Sequence, residues 1–128
     1  LLGVTPLDFG SQENVETLKE NLKKYTATQT CPIRNIISRF TGKWSMLVLC
    51  VLYENEATRF NSIGRALPDI SPKVLTETLK NLEAGELVHR EIYAEVPPKV
   101  EYSLTDKGKS LMPHIHSLIG WALNNYQI

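Results

Sequence analysis

The 128-residue chain has two cysteines, three histidines, two tryptophans and no surplus of charge of either sign. Each scarcity excludes something. Two cysteines cannot build the disulfide framework of a small secreted domain, and no Cys/His spacing suits a structural zinc site. The longest apolar run, residues 46–53, has eight residues, far short of the roughly 20 needed to span a bilayer. No basic-then-apolar leader opens the sequence, so no secretory signal is expected, and a reducing cytoplasm is the expected compartment. No nucleophile motif, paired-carboxylate arrangement or Gly-rich phosphate loop stands out, so neither catalysis nor a cofactor is expected. His114 and His116, two apart on a helix, point to different sides, which argues against a shared metal ion. His89, beside Arg90, reads as a strand-edge residue.

Charge constrains the reading further. Lys plus Arg and Asp plus Glu number 14 each, and residues 31–104 hold nine basic and nine acidic side chains. Strong nucleic-acid binders usually carry a basic excess. A nucleic-acid function must therefore rest on where the charges sit.

What is present is ordinary globular composition, 42% hydrophobic and 22% charged, in a chain long enough for one core. Residues 1–10 have no period and read as an arm. Val15, Leu18, Leu22 and Tyr25 recur at helical spacing behind Ser11 or Asn14 as N-cap, and residues 26–30 read as a linker. Pro32 opens a helix with Ile33, Ile36, Ile37 and Phe40 on one stripe. Thr41-Gly42-Lys43 breaks it. The next helix, 44–53, is apolar on nearly all sides and is expected to be central and buried, with Cys50 in the core. Thr58-Arg59-Phe60 reads as a short extended link, and Ile63, Ala66 and Leu67 mark a brief helix.

Pro68-Asp69 is a turn, after which Ser71 as N-cap and Pro72 at the first position open a helix ending near Gly85. Segments 87–93 and 100–104 are β-prone, with Val96-Pro97-Pro98-Lys99 as the bend between them. Thr105 caps a final helix carrying Leu111, Ile115, Leu118, Ala122 and Tyr126, in which Pro113 predicts a kink or an early break. Short helices at 60–67 and 71–84 around a tight turn fit a helix-turn-helix. The fold class is mainly α (α+β): a winged helix-turn-helix with a two-stranded β-hairpin wing and flanking N- and C-terminal dimerisation helices. Its parts are an arm and amphipathic helix at 1–30 and the DNA-binding domain, including the C-terminal helix, at 31–128.

Helix 71–84 is the informative element. Leu75, Leu79 and Leu82 make an apolar back, while Lys73, Thr76 and Lys80, three and four residues apart, share the opposite face with Glu77. A recognition helix needs that division, and its N-terminus behind Ser71 donates N–H groups to phosphate. An ordinary solvated face fits the same pattern. Arg90, Tyr93, Lys99 and Tyr102 suit a wing stiffened by Pro97-Pro98, although Glu91, Glu95 and Glu101 repel phosphate and a hairpin that merely covers the core fits too.

Together the runs Cys31-Pro32-Ile33-Arg34, Gly42-Lys43-Trp44, Arg59-Phe60, Ala66-Leu67-Pro68, Ile70-Ser71-Pro72-Lys73, Leu75-Thr76, Leu82-Glu83, Pro97-Pro98-Lys99-Val100-Glu101-Tyr102-Ser103-Leu104-Thr105 and Gly108 resemble the HxlR family, a branch of the MarR-like winged-helix regulators. The resemblance covers residues 31–121. It implies a homodimeric transcription factor, expected to be a repressor, on a palindromic double-stranded DNA operator. By that similarity Ser71, Lys73, Thr76 and Lys80 fall on the recognition helix and Lys99 on the wing; Arg59 and Lys43 are read separately as candidate backbone contacts. The chain departs from the pattern in its longer segment before Cys31 and in Glu86, where Gly-Leu is the usual junction.

Physics also favours a pair, because one recognition helix reads too few bases. Leu18 and Leu22 on one helix and Leu118 and Trp121 on another are candidate dimerisation residues, with packing of either helix on its own domain as the alternative. Cys31, directly before Pro32 and one turn from Arg34, sits where the helix dipole favours thiolate. By resemblance to thiol-sensing HxlR proteins it is the candidate redox-sensing residue for an electrophile or oxidant; a capping, partly buried structural cysteine is the alternative. Two rival functions remain: a winged-helix protein-interaction module, and a thiol or small-molecule sensor signalling through a partner protein.

Overall fold

Apolar residues three and four apart, punctuated by proline and glycine, dictate helices whose buried stripes must find each other. The computed structural model describes residues 19–20 and 32–126. Cys31, Leu18 and Leu22 lie outside the described residues, as do most of the expected helix at 15–25 and the segments 1–10 and 26–30. The chain divides into two compact units, Leu1–Ser38 and Arg39–Ile128. In the first, helix α1 spans Pro32–Ile37 and closes with a Ser38 N–H bond to the Arg34 carbonyl (3.0 Å). It stops before Phe40, so the stripe read from Ile33 to Phe40 extends past the helix itself.

The second unit runs α2 (Lys43–Glu54), β1 (Thr58–Arg59), α3 (Phe60–Ala66), α4 (Pro72–Ala84), β2 (Val88–Tyr93), β3 (Lys99–Leu104) and α5 (Asp106–Asn125). Its core joins Val48, Leu49 and Leu52 of α2 to Ile63, Ile70, the α4 stripe Leu75, Leu79 and Leu82, then Leu87, Val88, Leu104, Met112 and Ile115. Burying each such side chain stabilises the fold by about 1.5–3 kcal/mol. Helix α2 corrects the sequence reading. Leu47 and Tyr53 are 41% and 47% exposed and Cys50 is half-buried against the core, because only one stripe of this helix meets α4 and α5.

The sheet corrects it too. Thr58-Arg59 is a strand, giving the order β1-β3-β2, with Thr58 opposite Tyr102 and Arg59 opposite Glu101. A two-residue strand has no periodicity to betray it. The β2–β3 hairpin pairs from Val88 with Leu104 to Tyr93 with Lys99, so its root is anchored in the core while its far end projects.

Caps fix the ends of the helices. Ser71 Oγ accepts from Val74 N–H (3.2 Å) with Pro72 in the first turn of α4, as the sequence predicts. At the other end Gly85 is the C-cap, Glu86 N–H bonds the Glu83 carbonyl and Leu87 N–H the Leu82 carbonyl (2.9 and 3.0 Å). This is a Schellman ending whose left-handed seat is filled by Glu86, at φ 63°. Thr105 then ties α5 to that ending. Its Oγ1 accepts from Gly108 N–H (3.0 Å) and donates to the Glu86 carbonyl (2.6 Å), while its N–H bonds the Leu87 carbonyl (3.1 Å). Helix α5 runs unbroken through Pro113 to Asn125. The early break read from the sequence does not occur, since buried Met112 and Ile115 hold the helix on both sides of the missing donor.

Two substitutions at this junction are expected to act in opposite directions. A Cβ on Gly108 would collide with the Leu87 carbonyl oxygen, so Gly108→Ala should cost about 2–3 kcal/mol in urea unfolding. Glu86→Gly removes left-handed strain at the loss of an exposed Lys107 ion pair (3.3 Å) and should gain about 0.5 kcal/mol.

Candidate nucleic-acid interface

Helices α3 and α4 are joined by a turn whose geometry is set by two backbone bonds, Leu67 N–H to the Ile63 carbonyl and Ile70 N–H to the Leu67 carbonyl (both 3.1 Å). Buried Ile70 pins the turn to the core. Because Leu75, Thr78, Leu79 and Leu82 face inward, the helical repeat turns Lys73, Thr76, Glu77 and Lys80 outward, and all four are exposed. The structure thus places Lys73, Thr76 and Lys80 on one outward face of α4, with Ser71 exposed at its N-cap and apart from that face in the helical repeat. Among the described residues neither lysine has a carboxylate partner.

Thr76 differs from its neighbours. Its Oγ1 donates to the Pro72 carbonyl (2.8 Å), which occupies the hydroxyl proton and leaves the methyl group and an acceptor lone pair outward. Such a threonine suits contact with a thymine methyl.

Residues 39–128 match the family model described as HxlR-like helix-turn-helix. The chain belongs to the HxlR family. An HTH-type transcriptional regulator of Methanothermobacter thermautotrophicus is 45% identical over 91 residues, which cover 71% of this chain and 69% of that protein. The redox regulator HypR in its oxidised form superposes with a TM-score of 0.69 at 38% identity, over 77% of this chain and 100% of HypR. Diamide-treated YodB from Bacillus subtilis gives 0.64 at 34% identity, over 79% and 100%. The protein is accordingly a winged-helix transcriptional regulator, and the expected mainly α winged-helix core is what the structure has, with β1 added to the two-stranded hairpin.

The remaining residues expected from the sequence to contact DNA in this HxlR regulator stand on other elements. Lys43 opens α2 with Nζ 5.2 Å from the Trp44 ring centroid. Arg59, exposed, ends β1 and precedes the first turn of α3. Lys99 is already engaged: Nζ lies 3.4 Å from Glu101 Oε2 and 4.9 Å from the Tyr93 ring centroid, with the side chain 29% exposed. The hairpin tip, residues 94–98, carries Glu95 and fully exposed Val96 and no cation, so wing cations sit back from the tip.

On α5, Leu118 and Trp121 are exposed (51% and 57%), as are Leu123 and, at the C-cap just past the helix, Tyr126, which Trp121 meets edge to face at 6.0 Å. The first half of α5 is packed and the second half presents an apolar stripe. Burial raises the Cys50 thiol above its ordinary pKa, and the nearby Glu54 carboxylate adds to the rise, so thiolate is scarce there at neutral pH. Among the described residues no three metal ligands converge and no helix is long and apolar enough to cross a membrane.

The sequence reading missed Arg65. It lies in the last turn of α3 and its Nη2 donates to Ser62 Oγ (3.0 Å). The signal that points to it is the i, i+4 spacing with Asn61, obscured by how short the helix is.

Proposed function

We propose that this regulator works in the cytoplasm as a homodimer on a palindromic operator, in a non-catalytic role, with Cys31 as the switch. The observation that carries the reading is the exposed Lys73/Lys80 face, without a carboxylate partner among the described residues, on a helix whose leucine back is fully seated. Lys73, Thr76 and Lys80 enter the major groove or grip its flanking phosphates, and Ser71 sets the phosphate-facing helix end. Arg59 and Lys43 add backbone contacts. Lys99 shares its charge with Glu101 and so contributes least. The apolar stripe of Leu118 and Trp121 on α5, together with Leu18 and Leu22, pairs two copies so that their α4 helices meet half-sites about one DNA turn apart. Repression follows where the operator overlaps a promoter.

Selection from a random DNA library, run with reduced protein, is expected to enrich a palindrome. Lys73→Ala combined with Lys80→Ala should flatten the plot of log K against log salt by about two to four units for the dimer. An unchanged slope favours the protein-interaction module or the sensor that signals through a partner.

The likeness to HypR in oxidised form and to diamide-treated YodB supports Cys31 as the reactive thiol, while Cys50, with its raised pKa, is the poorer nucleophile. Diamide or a quinone should change the operator affinity of the parent protein and leave Cys31→Ser unaffected in a mobility-shift titration. A Cys31→Ser protein that still responds as the parent does would remove the switch.

A further inference from the structure

The face of α3 that adjoins the start of α4 contains a feature the recognition-helix reading does not use. A cleft of about 350 Å³ lies between the two helices, lined by Phe60, Gly64, Ile70 and Leu75 on its apolar side, Pro72 at its edge, and Asn61 and Arg65 as polar groups. Asn61 and Arg65 are four residues apart, hence on one face of α3. Both are exposed, and among the described residues no carboxylate pairs with the Arg65 guanidinium. One of its nitrogens is spent on neutral Ser62 Oγ at 3.0 Å, which orients the planar group along α3 and leaves its other donors for an acceptor.

We propose that this cleft seats one sugar–phosphate unit of the operator strand, with Arg65 as the phosphate clamp and Asn61 as a second donor. The chemistry matches part by part. An apolar wall with a glycine beside it accepts the face of a deoxyribose, and a guanidinium held in place by a hydroxyl suits two phosphate oxygens at once. The clamp stands beside the first residue of α4, so the phosphate it takes belongs to the strand on which Lys73 and Thr76 lie. It fixes register and leaves base choice to α4.

The inference rests on the operator-binding reading, and the test separates the two. A fluorescent duplex carrying the enriched palindrome is titrated with parent, Arg65→Ala and Arg65→Lys proteins across a salt series, with thermal melts to verify that this exposed position leaves the fold intact. Arg65→Ala is expected to weaken every duplex alike by about tenfold and to flatten the salt slope by about two units in the dimer. Arg65→Lys should keep most of the slope while losing part of the affinity, because a point charge replaces a fork. A single neutral methylphosphonate in each half-site should weaken the parent and leave Arg65→Ala unmoved. Parent protein that binds the palindrome while Arg65→Ala keeps its slope overturns the clamp and spares the operator reading. A changed preference at one base pair also overturns it, since Arg65 would then be reading a base. Parent protein that binds no duplex overturns both.

Discussion

Seating the leucine back of α4 is the constraint from which the rest follows. Leu75, Leu79 and Leu82 are at most 2% exposed, and together they bury enough apolar surface to fix the rotation of the helix about its axis. A helix locked in rotation has no freedom in what it shows to the outside. Lys73, Thr76 and Lys80 face solvent because the leucines cannot, and the turn pinned by Ile70 sets where that face begins. Function here is a by-product of packing on the opposite side.

Much of this was legible in the residues, and the parts that were not have physical reasons. Ser71-Pro72 and Thr105 declare the starts of α4 and α5, because caps act locally and need no tertiary partner. The third strand was hidden, since Thr58-Arg59 becomes a strand only by pairing with β3. The exposure of Leu47 and Tyr53 was hidden for a related reason: composition marks a helix as apolar but does not tell how many neighbours will cover it. Pro113 does not end the helix, because the cost of one lost hydrogen bond is local, while the burial of Met112 and Ile115 that outweighs it is tertiary. The family resemblance set Lys73, Thr76 and Lys80 on one helix, and the structure has them exposed there, yet it passed over Arg65, whose setting becomes visible only when α3 and α4 are laid side by side.

Neutral overall charge and nucleic-acid binding are reconciled by distribution. The described lysine ion pairs, Lys99 with Glu101 and Lys107 with Glu86, lie on the sheet and at its root. Acidic side chains there consume cations that a bulk count would credit to binding. Among the described residues Arg65 on α3 and Lys73 and Lys80 on α4 form no ion pair. Asp69, Glu77 and Glu83 stand among these cations, so the stretch 60–84 is itself neutral, and a fitted set of contacts rather than a positive hull must carry the binding.

The Thr105 hydroxyl bonds at once to the opening turn of α5 and to the carbonyl that closes α4. With Gly108 flush against the Leu87 carbonyl, there is no slack between the two helices at that point. A torque applied to the far, exposed end of the 20-residue α5 is therefore delivered at the foot of α4, as through a crank whose bearing is one threonine.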